Sequence, residues 1–181
     1  MTVKFYEQKI ESKRVFEGKM ISVRVDRVRL PNGEESTREV VDHPGAVVIV
    51  PVLGEEIIFV EQYRYPIEQM LLELPAGKMD PGESPEECAK RELEEETGYR
   101  AKRFSYLGKI FTTPGFTTEV IHIFAAEELE KTTQNTDPDE FIEVKKIPVE
   151  KVLSLLRNAE IEDSKTICAL TRYFLSKGVI G

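Results

Sequence analysis

Residues 84–98, Ser-Pro-Glu-Glu-Cys-Ala-Lys-Arg-Glu-Leu-Glu-Glu-Glu-Thr-Gly, constrain the fold of this chain more than any other segment. Both ends of a helix are written into them. Ser84 is an N-cap residue, Pro85 suits the first helical position, and Glu87, three residues after the cap, completes a capping box. Gly98 suits the C′ position that ends the helix. Four carboxylates, Glu92, Glu94, Glu95 and Glu96, fall within five residues of it. With about 100° between successive residues, Glu96 lies about 40° to one side of Glu92 and Glu95 about 60° to the other. These three therefore share one face, while Glu94 points away. Lys90–Glu94, Glu87–Arg91 and Arg91–Glu95 are favourable pairs four residues apart, but Glu92 and Glu96 remain as like charges at the same spacing.

Two readings of that face are open. Most charge runs are solvated helix faces. Alternatively, a divalent cation completes it, since hard cations such as magnesium take oxygen ligands, keep several waters and share substrate phosphates. The glycines and proline that precede the helix, in Gly77-Lys-Met-Asp-Pro-Gly-Glu83, favour the second. With them, residues 77–99 resemble the box of the Nudix hydrolases, Gly-x5-Glu-x7-Arg-Glu-U-x-Glu-Glu-x-Gly-U, where U is a bulky apolar residue. Gly77, Glu83, Arg91, Glu92, Leu93, Glu95, Glu96 and Gly98 match every fixed position, and Tyr99 fills the last apolar slot with an aromatic ring. The resemblance implies a pyrophosphohydrolase acting on a nucleoside diphosphate linked to another group. It implies that Glu92, Glu95, Glu96 and the Ala76 carbonyl hold the metal, Mg²⁺ or another divalent cation such as Mn²⁺. Arg91 would orient a glutamate, and Glu83 would support the loop or its metals, with Gly77 and Gly98 structural.

A chain of 181 residues suits one main domain with a small accessory segment. A formal net charge of −8 without a basic stripe argues against nucleic acid as a partner. No apolar run approaches 18 residues and the first residues carry no apolar stretch, so no membrane partner and a cytoplasmic location are expected. Cys88 and Cys168 lack metal-ligand spacing and read as small core residues.

Residues 1–42 read as an N-terminal antiparallel β module. Val3–Ile10 and Lys13–Phe16 alternate loosely, Ile21–Leu30 more clearly, and Ser36–Val41 returns after the Pro31-Asn32-Gly33 turn. This module is too poor in apolar residues to stand alone, and a role in homodimerisation or in binding substrate is expected of it. Residues 43–181 read as the catalytic domain. Ala46–Leu53 is apolar throughout, as a strand buried on both faces is. Ile57–Tyr63, Leu71–Leu74, Phe104–Phe111, Glu119–Ala125 and Ile142–Ile147 follow as strands. Helices are predicted from Pro148 to about Asn158 and from an Asp163 cap to Gly178. This order suits an α/β fold, an α/β/α sandwich with a mixed sheet, and the resemblance implies the Nudix fold.

Four further stretches resemble the ADP-ribose pyrophosphatase branch of that family. Pro114, 15 residues after the box, stands in Thr112-Thr-Pro-Gly115-Phe-Thr-Thr-Glu119, where Glu119 would add a carboxylate near the metals. An ordinary Pro-Gly turn is the alternative. Glu61-Gln-Tyr-Arg64 places an arginine for the diphosphate, whose oxygens a guanidinium matches in two-point fashion, or for the adenosine end; a surface arginine on an edge strand is the alternative. Arg38, in Thr37-Arg38-Glu39, would serve the adenine or the phosphates. Glu73 would face the substrate ribose, or be buried with a local hydrogen bond. In this branch a loop after the box supplies the general base. Glu140, at the end of the polar stretch Glu127–Glu140, matches best, with Glu143 and Asp139 in reserve. A solvated acidic loop is the alternative there.

The branch implies hydrolysis of ADP-ribose to AMP and ribose 5-phosphate. Another nucleoside diphosphate derivative, such as a nucleotide sugar, and a non-catalytic nucleotide-binding module are the rival readings.

Overall fold

The computed structural model describes residues 4–136, 138 and 140–180. The chain forms two compact units, the first from residues up to Gly45 with Phe111–Val120, the second from Ala46–Ile110 with Ile121 onward.

The first unit is an antiparallel meander of β1 (Gln8–Glu17), β2 (Ser22–Arg29) and β3 (Glu35–Asp42). The two loosely alternating segments expected near the start are one strand. Register shifts between Lys9 and Glu11 and between Arg14 and Phe16 absorb the broken alternation. All ten residues of β1 are exposed, Val15 and Phe16 among them. Asp26 is buried in β2 and is paired with Arg24, which also holds Asp42 at 3.1 Å. Segment 111–120 is tied to β3, with the Val41 amide donating to Phe116 at 2.7 Å and the Thr118 amide to Val41 at 3.0 Å.

The second unit holds β4 (Ala46–Leu53), β5 (Glu56–Arg64), β6 (Gln69–Glu73), β7 (Ala76–Lys78), β8 (Tyr99–Phe111), β9 (Val120–Lys131) and β10 (Ile142–Pro148). Helix α1 spans Pro85–Thr97, α2 Val149–Arg157 and α3 Ser164–Ser176. The strand order is β10-β5-β4-β9-β8, with β6 on β5 and β7 on β4. β4 and β5 pair only at their hairpin end, Val52 with Ile57 and Leu53 with Glu56. Beyond it β4 runs parallel to β9 and antiparallel to the short β7. Alternation along β4 sorts two cores. Val47 and Ile49 meet Cys88, Ala89 and Leu93 of α1, while Val48 and Val50 share a cluster with Val152 of α2 and Leu170 and Phe174 of α3. Helices thus cover both faces of a mixed sheet.

The second unit also departs from the expected pattern, with β8 beginning at Tyr99 and not at Phe104. The polar stretch from Glu127 begins as strand, because β9 runs on to Lys131 with Arg103–Glu127 at 3.0 Å and Lys102–Glu130 at 2.5 Å across to β8. Charged cross-strand pairs there replace the apolar alternation that the sequence lacks. The three-residue β7 has no sequence signature; its pairing to β4 defines it. Among the described residues no helix is long and apolar enough to cross a membrane.

Candidate active site

Helix α1 is fixed at both ends before any ligand is considered. The Glu87 amide donates to Ser84 Oγ at 3.3 Å, and the Ser84 amide to the Glu87 carboxylate at 2.9 Å. Gly98 closes the helix at φ 69°, a left-handed conformation that costs side-chain-bearing residues more. One face buries Cys88, Ala89 and Leu93; the neighbouring face presents the acidic cluster toward β7. The Ala76 amide donates to Glu96 Oε2 at 3.0 Å. A Cβ on Gly77 would stand 2.0 Å from the Glu92 carboxylate, so only glycine leaves room for that side chain.

Arg91 is the organiser of the cluster. Its Nε and Nη2 donate to the two oxygens of Glu83, both at 2.9 Å. Nη1 donates to Glu92 at 2.7 Å and Glu95 at 2.9 Å, and Nη2 also reaches the Lys78 carbonyl at 3.1 Å. Glu87, expected beside Arg91, is instead engaged by the cap. Lys90, expected beside Glu94, pairs with Glu86 at 2.6 Å, and Glu94 with Arg100 at 2.7 Å.

The protonation pattern follows from this geometry. Arg91 holds the Glu83 carboxyl down at about 2. Burial pushes Glu92 up to about 7 against the pull of Arg91, with the charges of Glu95 and Glu140 adding to the rise. Burial pushes Glu96 up to about 8, helped by the charges of Glu92 and Glu140. One arginine therefore compensates Glu83 fully but leaves the more buried Glu92 and Glu96 under-compensated. Among the described residues no three His, Cys, Asp or Glu side chains converge as a ready ligand set, because Glu92 and Glu95 both turn to Arg91. The donor chemistry nonetheless fits a hard divalent cation: all-oxygen, anionic and short of positive charge.

The loop after β9 carries Glu140, whose charge is felt by both Glu92 and Glu96. It is bonded to the end of α1 through Thr132, Gln134 and Asn135. Glu143 lies on β10, highly exposed, with Lys145 at 4.0 Å. Asp139 lies outside the described residues.

Arg64 and Glu73 are partners of each other. Arg64 Nε and Nη2 donate to the two Glu73 oxygens at 2.6 and 2.7 Å, and Lys165, itself 3.0 Å from Asp163, also binds Glu73. Burial raises the Glu73 carboxyl, yet the two cations outweigh it and hold it below the ordinary range. Lys165 had no signal in the sequence. Gln134 and Asn135 lie in the polar stretch Glu127–Glu140, where nothing local to the sequence sets these amides apart from the other polar residues.

Arg38, Gly115 and Glu119 belong to the first unit. Arg38 is paired in two-point fashion with Glu7 at 2.8 and 2.6 Å. Glu119 accepts from Thr112 Oγ1 at 2.7 Å and lies 3.6 Å from His43 Nε2. Gly115 is exposed with open space around its Cα. An open cavity of about 420 Å³ in this unit is lined by Arg14, Asp42, His43 and Thr118 among others, and by none of these three.

Residues 42–170 match the NUDIX domain family, and residues 7–41 match the nucleoside diphosphate sugar hydrolase N-terminal domain. An ADP-ribose pyrophosphatase of Bacillus subtilis (strain 168) is 46% identical over 167 residues, covering 91% of this chain and 90% of that protein. A methanol dehydrogenase activator of Bacillus methanolicus is 41% identical over 169 residues, covering 92% and 91%. Among solved structures, an ADP compounds hydrolase superposes with a TM-score of 0.86 over 99% of this chain and 100% of that one, at 23% identity.

Proposed function

The chain belongs to the NUDIX family, and on that premise we propose that it is a divalent-metal-dependent pyrophosphohydrolase that cleaves ADP-ribose to AMP and ribose 5-phosphate. The observation that carries the chemistry is the pair of largely buried carboxylates Glu92 and Glu96 beside the Ala76 amide and the Gly77 backbone, in a box that has lost none of its fixed residues. The substrate rests on the likeness to an ADP-ribose pyrophosphatase along nine-tenths of the chain.

Glu92, Glu95, Glu96 and the Ala76 carbonyl would hold Mg²⁺ or a similar cation. Such a cation, when bound, neutralises diphosphate charge and makes a water more acidic. Arg91 fixes the direction of Glu92 and Glu95, and Glu83 fixes Arg91 in turn. Glu140 takes the proton of the attacking water as general base. The water oxygen bonds to one phosphorus as the bond from that phosphorus to the bridging oxygen breaks, and the second phosphate leaves as a monoester. Arg64, aimed by Glu73, and Arg38, Gly115 and Glu119 would bind the substrate. We place the enzyme in the cytoplasm as a homodimer, with residues 1–42 as the module that joins protomers or completes the substrate site and 43–181 as the catalytic domain.

A nucleotide sugar is the second reading, favoured by the match of residues 7–41. A panel of ADP-ribose, a nucleotide sugar, a dinucleoside tetraphosphate, NADH and dGTP with Mg²⁺, run on wild type and Glu96→Gln, separates them. Selective turnover of ADP-ribose, lowered on the order of 100-fold or more in the variant, is the expected result. Preference for another member moves the substrate. No turnover of any member favours a binding module.

A further inference from the structure

Every α-helix leaves its last carbonyls without helical partners, and at the end of α1 three of them are answered by one short segment of the following loop. The Thr132 amide donates to Gly98 at 2.7 Å, the Asn135 amide to Glu95 at 3.0 Å and Gln134 Nε2 to Glu96 at 2.7 Å. The Gln134 backbone lies so close that a Cβ on Gly98 would stand 2.9 Å from its amide nitrogen. The same segment is bonded toward Glu140, because Thr136 Oγ1 donates to the Glu140 carbonyl at 3.2 Å. Hydrogen bonds thus run from the backbone of two box glutamates, through three consecutive loop residues, to the residue read as the base. Two of the three contacts to α1 are made by main-chain amides, which any residue but proline supplies. The third depends on a side chain, and only a donor of glutamine's length serves it.

We propose that Gln134 is a positioning residue for the hydrolysis: its side-chain amide clamps the Glu140 loop to the turn carrying Glu95 and Glu96, and so sets where the Glu140 carboxylate stands. This rests on the reading of Glu140 as the base. Gln134 itself is exposed, and its side-chain amide bonds to the Glu96 carbonyl, so its loss should remove that contact without opening a cavity in the core. Misplacing a reacting group by 1 Å can cost about 100-fold in rate, so a smaller displacement should cost less.

A double-mutant cycle tests the idea, with kcat and KM for ADP-ribose at saturating Mg²⁺ measured for wild type, Gln134→Ala, Glu140→Gln and the double variant. We expect Gln134→Ala to lower kcat about 10-fold with KM within about twofold, and to add less than about twofold once Glu140 is gone. Gln134→Glu, equal in size but with an acceptor facing the Glu96 carbonyl, should reproduce the loss. The thermal midpoint of each variant separates rate effects from unfolding. An unchanged kcat in Gln134→Ala overturns the proposal, as does the same fold-loss in both backgrounds, which would mean that the contact serves the helix and not the base. If Glu140→Gln alone keeps full activity, the base assignment falls and this proposal falls with it. If Glu140→Gln is crippled but the Gln134 effect persists beside it, only the positioning role falls.

Discussion

Glu92 and Glu96 lie one helical turn apart, and the burial of both makes the stability of the metal-free protein depend on pH. Both carboxyls, at about 7 and about 8, hold their protons more tightly in the folded chain than at the ordinary value of 4.5. Between 4.5 and 8 the folded state therefore binds more protons than the unfolded one, and metal-free stability falls as pH rises through that window. Glu83 acts in the opposite sense, since Arg91 holds it at about 2; its contribution is complete above 4.5 and is lost only as pH falls toward 2. Thermal midpoints in a chelator should be lower at pH 8.5 than at pH 5.5 and recover when Mg²⁺ is added at the higher pH. Glu96→Gln should flatten this dependence and raise the metal-free midpoint at pH 8.5, because an amide keeps the bond from Ala76 without a buried charge. A midpoint that ignores both pH and Mg²⁺ would remove the metal from this site. Arg91→Ala should cost about 2–3 kcal/mol, the lower end for a broken buried pair since 30% of the Arg91 side chain stays exposed. Urea titration measures that loss, and Arg91→Lys should recover little of it, having no fork to span Glu83 and Glu92 together.

Helix α1 and strand β7 form the element on which these residues act, and its caps and its chemistry are separable. Ser84→Ala removes the acceptor for the Glu87 amide and should cost about 1 kcal/mol, or about 2–4 °C in the thermal midpoint of a chain this size. Its kcat with saturating Mg²⁺ should stay near wild type, because Ser84 lies at the far end of the helix from Glu96. Gly77→Ala should do the reverse. The new methyl would occupy the place of the Glu92 carboxylate, so activity should fall on the order of 100-fold or more, with Mg²⁺ rescuing little. Parallel melting curves and initial rates of the two variants would show this crossed pattern; matched losses in both would mean that stability alone controls the site.

The molecule as a whole presents an unusual edge. β1 is ten residues long, exposed at every position, and bears Ile10, Val15 and Phe16 on its surface. Long uncovered edge strands invite pairing unless something covers them, and the homodimer proposed above would do so. Sedimentation equilibrium should then give twice 20.7 kDa, about 41 kDa, at micromolar concentration, and charged substitutions at Val15 and Phe16 should move the mass toward the monomer. A wild-type mass of 20.7 kDa would remove the dimer.

Much of this was written locally in the chain. Ser84, Pro85, Glu87 and Gly98 specify where α1 begins and ends because capping is decided within a few residues, and the unbroken apolar run Ala46–Leu53 specifies a strand buried on both faces. The spacing of Glu92, Glu95 and Glu96 likewise puts them on one helix face whatever surrounds it. Partners were another matter. Helical spacing puts Arg91 beside Glu87 and Glu95, but folding also delivers Glu83 from the preceding loop, and that eight-residue separation is invisible to helical spacing. The sequence offers Arg64 as a substrate contact or a surface arginine and Glu73 as a ribose contact or a buried, locally bonded carboxylate, whereas the pairing of β5 with β6 and the arrival of Lys165 on α3, 92 residues from Glu73, bind them into one ionic network. The amides of the loop after β9 gained meaning only when the sheet carried that loop to the end of α1. Short-range order follows from backbone geometry and neighbouring side chains; which distant charges meet is decided by the packing of the sheet between its helices.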